Sequence, residues 1–292
     1  MMAANQKPPP EDAVMSKTLA DLIELRYGLP TDVGKDQPAE GLLAQILDRR
    51  SHRRWTEDPV PEELLQTLLA TAFCASAKSD LMQSGVILIR DKAKQQAITD
   101  LIPSMPWIAS APVFMIWIGD SRRIRRICEM RGKPFGNDHL DSFLNAATDC
   151  ALAMQTFILA AESQGLGCCP ISNVRNHTGA LKEMLELPEY IFPYAGLCVG
   201  YPSRAGFSSM RLPLSCFVHE DKYDDSNLEA DIDGYDQRRA ARHAPPKESW
   251  RDVAKWGEPD FYGWSEDKAR QVAVTERDNL GPFVRAQGIK LD

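Results

Sequence analysis

The sequence offers little that would staple the chain or bind a metal. Its seven cysteines are scattered over 292 residues with no Cys-x-x-Cys pair. Its five histidines, His52, His139, His177, His219 and His243, show no ligand spacing. A structural zinc site is therefore excluded and no metal is expected. Cys74, Cys150 and Cys198 sit among apolar neighbours, where free thiols act as small hydrophobes. Cys168 and Cys169 are adjacent, and adjacent cysteines bridge only with strain, so strand packing is expected of them. A reduced, cytoplasmic compartment follows as an expectation. The first residues are polar and proline-rich, unlike a secretory leader. No Gly-x-Gly-x-x-Gly follows a strand, and there is no phosphate-binding P-loop, no His-Glu-x-x-His and no Gly-x-Ser-x-Gly. The dinucleotide-fold, metallohydrolase and serine-hydrolase classes lose their support. Net positive charge is missing too. At −7, the chain has no bulk affinity for nucleic acid or an anionic membrane, despite a basic stretch over 122–131.

Long apolar runs are also scarce, with one exception over 142–170. Phe143, Leu144, Ala146, Ala147, Ala151, Leu152, Met154, Phe157, Ile158 and Leu159 place apolar groups on almost every face of a helix. A helix that is hydrophobic all round is buried all round. Asp149, Gln155 and Glu162 make it too polar for a membrane span. Gly165 and Gly167 suit a left-handed helix end, and Pro170 prevents the helix from resuming. This segment is expected to be a central helix, covered in part by a second copy of the chain.

Around it the pattern is mixed, and no internal repeat is found. Residues 1–12 are expected to be disordered. Helices are expected over 17–27, 41–48, 61–74, 91–101, 121–131 and 178–186. Strands are expected over 85–90, 108–119 and 194–200, with a last one over 215–219. From 221 the chain is charged and helical in pieces, anchored by Trp250, Trp256, Trp264 and Phe283. Strands and helices do not alternate strictly, so the fold class is α+β.

What remains for chemistry is basic. Arg49, Arg50 and Arg53 surround Ser51 where a helix ends. Arginine grips a phosphate with paired charge-assisted bonds, and serine adds a hydroxyl. The plain alternative is a solvated run complementing the helix dipole.

Arg49-Arg50-Ser51-His52-Arg53-Arg54-Trp55, followed by Asp58-Pro59-Val60-Pro61, resembles the N-terminal signature of the FMN-dependent nitroreductases and flavin reductases. The small-residue loop at Ala75-Ser76-Ala77-Lys78-Ser79-Asp80 is similar to a family loop that touches flavin across a dimer. Residues 165–176 resemble the family's helix-to-flavin turn. The stretch 193–202 followed by Met210-Arg211-Leu212-Pro213 completes a set of four motifs in order, over about 41–223.

The resemblance implies a nitroreductase-like mixed sheet flanked by helices around the long central helix. It implies an obligate homodimer with C-terminal exchange between copies. It suggests an N-terminal extension at 1–40, an FMN-binding domain at 41–223 and a helical extension at 224–292. It places the FMN phosphate on Arg49, Ser51, Arg53 and Arg211, with Arg50 and Ser209 among the other cofactor-binding positions. Ala77 and Lys78 of the loop, Met105 and Trp107, and Pro170, Ile171, Ser172 and Asn173 would line the ring. Ser209 departs from the Lys or Arg common there, and Ala77 from a common Ser. Arg238, Arg239 and Arg242 become candidates for the extra phosphate of NADPH, against the alternative of a solvated helix face. The implied activity is ping-pong reduction of nitroaromatics or quinones by NADPH or NADH. Flavin N5 carries the hydride, so no catalytic side chain is implied. A dehalogenase, an azoline-type oxidase or a flavin-binding protein without turnover are the alternatives.

Overall fold

The computed structural model describes residues 18–292. The expectation for 1–12 lies outside the described residues. In chain order the helices are α1 (Leu19–Tyr27), α2 (Gly41–Asp48), α3 (Glu62–Ala72), α4 (Lys92–Asp100), α5 (Trp107–Ser110), α6 (Arg122–Met130), α7 (Leu140–Ser163), α8 (Thr178–Leu185), α9 (Leu228–His243), α10 (Val253–Trp256), α11 (Trp264–Val272) and α12 (Leu280–Ala286). The strands are β1 (Ser84–Leu88), β2 (Val113–Asp120), β3 (Gly167–Ile171) and β4 (Ile191–Gly200). These residues form two compact units that interleave in sequence. One is Arg50–Phe207 with Arg277–Asp292, and the other is 18–49 with Ser208–Glu276.

The first unit is built on β2. Its residues alternate between two cores, because successive strand residues point to opposite faces. Phe114, Ile116 and Ile118 join Ile98 of α4 and Leu181 of α8 in one cluster. Met115 and Trp117 join Leu68 of α3 and Phe157 of α7 in the other. With both faces covered, the strand reads as an unbroken apolar run. The sheet order is β1-β2-β4-β3, and every named pair is antiparallel. The mixed sheet expected from the resemblance is thus corrected. Its parallel component is one bridge, Ser51 to Cys168.

Helix α7 ends as expected. Gly165 takes a left-handed φ of 75°, and Leu166 N–H reaches back to Ala161 C=O at 3.1 Å. Its own chain buries only part of it. Asp149, Cys150, Ala153, Phe157, Ile158 and Ala161 are buried, yet Leu144 and Leu152 stay 57% and 42% exposed. With Thr148 and Gln155 they form one stripe open in the single chain. The final segment packs on its own chain. Val284 and Ile289 join Ala146 and Phe192, and Gln287 donates to Pro188 and Ile191 carbonyls at 2.8 and 2.6 Å.

In the second unit, Thr18 and Asp21 form a reciprocal capping box on α1, and Gly28 closes that helix at φ 67°. Leu19 and Leu22 pack on Ala44 of α2. Tyr235 of α9 meets Trp264 edge to face at 5.3 Å, and Trp250 stacks on Tyr262 at 4.7 Å.

Other expectations need correction. The strand expected over 108–119 begins at Val113, because Pro106 starts the short α5 and Pro112 forces Ala111 to be extended. The strand expected over 215–219 is a 3-10 turn, Leu214–Cys216. Phe217 and Val218 turn their amides back to Leu214 C=O instead of a neighbouring strand. Cys74 is exposed, not buried. Trp256, expected as an anchor, is 47% exposed.

Candidate functional site

The basic segment is laid along the edge of β3. Ser51 bridges Cys168 in parallel, and His52 N–H donates to Cys168 C=O at 3.0 Å. Four residues on, Thr56 N–H donates to Tyr201 C=O at 2.8 Å. Two glycines permit this close approach. A Cβ on Gly167 would lie 2.7 Å from the His52 ring, and one on Gly200 would lie 2.6 Å from the Trp55 ring.

Beside the segment opens a cleft of about 880 Å³. Ser51, Arg53, Arg54 and Trp107 line it, with Arg204 and Gly206 from the loop after β4. The Arg53 guanidinium lies over the Trp107 ring at 5.6 Å. The Trp107 Nε1–H is buried without a partner. Arg50 donates to Gly206 C=O at 3.4 Å, and a Cβ on Gly206 would come 3.0 Å from Ser51 C=O. Met105, expected here with Trp107, packs against the core beneath.

Strand β3 carries the next candidates. Pro170 pairs with Leu197 and Ile171 with Gly196. Pro170 and Ser172 are exposed while Ile171 is buried. Ser172 and Asn173 then open a 3-10 turn. One arginine lies in this turn and a second reaches it from the end of the chain. Arg175 donates to Tyr194 C=O at 2.6 Å, and Arg277 reaches the Ser172 hydroxyl at 3.4 Å. Burial, followed by the charge of Arg277, lowers the Arg175 pKa. Burial raises that of Tyr194. Arg277 has a left-handed φ of 60°. The sequence reading missed it, and a lone arginine so far along the chain carried no signal.

The small-residue loop lines a separate cleft of about 400 Å³, with Phe73, Ser76, Ala77, Met82 and Arg123 around it. Lys78 projects outward, but its N–H donates to Asp149 at 2.9 Å, and Gln83 N–H donates to the same carboxylate at 2.8 Å. Asp149 is 2% exposed. One buried carboxylate thus fixes both ends of the loop.

Arg49, Ser209 and Arg211 lie in the second unit, where one side chain gathers them. Arg26 of α1 is 5% exposed. Its guanidinium donates to the carbonyls of Leu47, Arg49 and Ser209, and its own carbonyl accepts from Arg211 N–H at 2.7 Å. The residues expected around a phosphate therefore fall in two groups, Ser51 with Arg53 in one cleft and Arg49 with Arg211 on one arginine.

The three arginines of α9 differ. Arg239 donates to the Tyr235 hydroxyl at 2.6 Å, and that hydroxyl donates to Met210 C=O at 3.2 Å. Arg242 caps the Leu25 carbonyl of α1. Arg238 keeps a buried Nε–H with no partner.

A family model described as "Nitroreductase family" matches residues 46–201, and its C-terminal domain model matches 209–292. The chain belongs to the nitroreductase family. It is 34% identical over 200 residues to FMN reductase [NAD(P)H] of Bacillus subtilis, covering 68% of this chain and 80% of that protein. It is 28% identical over 247 residues to the NADPH-flavin oxidoreductase of Vibrio harveyi, covering 85% and 97%. The solved structure of B. megaterium NfrA2 superposes with a TM-score of 0.77 at 30% identity, covering 86% of this chain and 98% of that one. This nitroreductase-family chain has an α+β fold with its small antiparallel sheet. Helix α1 lies outside both matched segments.

Proposed function

We propose that the chain is an FMN-dependent NAD(P)H oxidoreductase that reduces nitroaromatics, quinones or related acceptors. The observation that carries this reading is the cleft beside β3. There Ser51, Arg53 and Trp107 meet on the edge that leads into Pro170, Ile171, Ser172 and Asn173. A cleft of about 880 Å³ is within the usual range for a cofactor site. The residues fit the group: a hydroxyl and a guanidinium suit its phosphate, an unpartnered indole N–H and an aromatic face suit its ring, and Gly206 keeps the floor clear.

FMN, when bound, supplies the hydride chemistry, taking a hydride from the nicotinamide and passing it to the acceptor. The chain's own residues bind and orient. Ser51 and Arg53 would hold the phosphate in the cleft, and Arg49 and Arg211 are the further phosphate candidates. The backbone at 170–173 would lie along the ring, and Ala77 and Lys78 of a second copy would approach it. Trp107 excludes water. Arg238 is the residue best placed to take the 2′-phosphate of NADPH, since Arg239 and Arg242 already hold Tyr235 and Leu25. A reducing cytoplasmic setting belongs to the same reading.

The purified protein should be yellow, and anaerobic NADPH should bleach it. A colourless protein that retains no added FMN, or a bound flavin that neither NADPH nor NADH bleaches, overturns the reading. Charge-assisted contacts are worth about 1.5–3 kcal/mol each, so Arg49→Ala with Arg211→Ala should weaken FMN binding ~100-fold or more. Full retention of flavin by that double variant after dialysis rejects the phosphate assignment.

A second reading concerns assembly. Leu144 and Leu152 on α7 are exposed, as are Phe73 and Met82 at the loop cleft. We infer a homodimer that covers them. Because α12 packs on its own chain, any C-terminal exchange would fall to Ser208–Glu276. A monomeric mass by sedimentation, with flavin still bound, contradicts the dimer.

A further inference from the structure

We propose that Arg26, on a helix outside both family-matched segments, is the positioning residue for the phosphate-binding arginines. This rests on the reading that Arg49 and Arg211 hold the FMN phosphate. Arg26 itself belongs to α1, Leu19–Tyr27, whereas the matched segments begin at 46 and 209.

The geometry is that of a knot. A guanidinium offers five N–H groups in a rigid plane. In Arg26 three nitrogens go to carbonyls of three backbone stretches: Nε to Leu47, Nη2 to Arg49, and Nη1 to Ser209 at 2.7 Å. Leu47 C=O is among the four carbonyls that the end of α2 leaves without a helical partner. No basic residue of α2 itself lies in its last turn to serve them. Arg49 C=O fixes the peptide plane that follows Arg49. Ser209 C=O and Arg211 N–H, both held by Arg26, fix the stretch on either side of Met210. The backbone stretches that carry Arg49 and Arg211 are therefore tied to one residue, and the Arg211 guanidinium itself reaches the Ser209 and Met210 carbonyls at 3.4 and 3.3 Å.

The helix carrying Arg26 is itself firmly placed. Its capping box at Thr18 and Asp21 fixes the start. Gly28 closes the end, its N–H on Glu24 C=O at 2.8 Å. Met210 is packed so close to Gly28 that any Cβ there would collide with its methyl group. Arg242 caps Leu25 C=O, and Tyr235 holds Met210 C=O. A cation 5% exposed and surrounded by backbone carbonyls is solvated by them, so removing it leaves several oxygens without that partner at once. A pre-set pair of arginines binds a phosphate more tightly than a pair that must be ordered on binding.

The test compares FMN with riboflavin, which lacks the phosphate, by fluorescence titration of the flavin-stripped full chain. Arg26→Gln should weaken FMN binding roughly tenfold or more and leave riboflavin within about twofold, because only the phosphate contacts depend on the two arginines. In an Arg49→Ala, Arg211→Ala background the same substitution should have no further effect on FMN, the non-additivity expected of residues acting through one another. Equal losses for FMN and riboflavin would mean a general structural role and overturn the proposal, as would an undiminished FMN affinity. If the Arg49→Ala, Arg211→Ala variant itself binds FMN like the wild type, it is the phosphate reading that falls, whatever Arg26 does. Should Arg26→Gln not fold, Arg26→Lys, which keeps the charge but loses the planar fork, is read by the same criteria.

Discussion

Two buried charges of opposite sign do the same job in the two units. In the first, the Asp149 carboxylate accepts the N–H groups of Lys78 and Gln83. In the second, the Arg26 guanidinium donates to three carbonyls. Both use backbone dipoles to solvate a charge that burial would otherwise make expensive. The difference lies in what they restrain. The loop under Asp149 has left-handed φ angles at Ser79, Asp80 and Met82, none of them glycine. Left-handed backbone at such residues costs on the order of 1 kcal/mol apiece. Asp149 thus holds a strained loop in place. Arg26 holds unstrained stretches at 47–49 and 209–211 and sets only their spacing. One knot therefore governs stability and local shape, and the other governs alignment.

The largest effect should come from the strained side. Asp149→Ala leaves two amide groups without their acceptor and releases the loop, a loss of roughly 2–5 kcal/mol, or about 5–15 °C in Tm for a chain of this size. Asp149→Asn, with one acceptor oxygen, should lose about half as much. Hydrogen exchange at the Lys78 and Gln83 amides should speed up in both variants. Unchanged exchange at those two amides would break the comparison, because the loop would then be held by something else.

The same two residues mark what the sequence could tell. Asp149 was legible as an exception. It interrupts a helix otherwise apolar on its inward face, and a lone acid among Ala146, Cys150, Ala153 and Phe157 is conspicuous. Its partners were not legible, because they are backbone groups about seventy residues away. Arg26 gave no sign at all. In LADLIELRY it looks like any cation in the last turn of an amphipathic helix. The strands β2 and β4 were readable from their apolar runs, and the end of α7 from Gly165. The antiparallel sheet was not, since pairing depends on contacts across the chain. Which stripe of α7 its own chain leaves open was not legible, for a related reason. Periodicity reports an apolar face but not whether this chain or a second copy covers it. The four-motif resemblance named candidate site segments. It did not anticipate their division into two groups, Ser51 with Arg53 and Arg49 with Arg211.

A second way to sharpen the comparison uses α9, whose arginines help hold the Arg26 knot. Arg239 braces Tyr235, and Arg242 caps Leu25. Arg238 has a buried Nε–H without a partner. If Arg238 takes the 2′-phosphate, Arg238→Ala should raise the NADPH KM about tenfold while NADH changes little, one charged hydrogen bond being worth ~1.5–3 kcal/mol. Arg239→Ala and Arg242→Ala should instead lower FMN affinity slightly and treat NADPH and NADH alike. Steady-state kinetics with both nucleotides separates these patterns. An Arg238→Ala variant whose two KM values move together ends the nucleotide role.

The smallest effect concerns a charge held by other charges. Asp138 accepts from Arg125 at 2.5 Å and lies 3.2 Å from Lys290. The Arg125 guanidinium is sandwiched between the Phe135 and Tyr190 rings at 4.3 and 4.2 Å. The hydrogen bond from Arg125, with a further contribution from Lys290, holds the Asp138 carboxyl below its ordinary pKa. Its folded-state pKa is therefore lower than its unfolded one. The stabilisation is complete above the unfolded value and is lost as pH falls through the folded value. Partial exposure limits it to about 1 kcal/mol. The wild type should be more stable than Asp138→Asn near pH 7 by that amount, a shift of about 2–4 °C in Tm, and the gap should close towards pH 3. Because Lys290 lies in the segment that returns from the second unit's sequence into the first, Lys290→Ala should reproduce part of the loss. A gap between wild type and Asp138→Asn that stays constant from neutral to acid pH would show that the residue acts through packing, so that side-chain ion pairs add nothing here beyond what the two backbone-held charges supply.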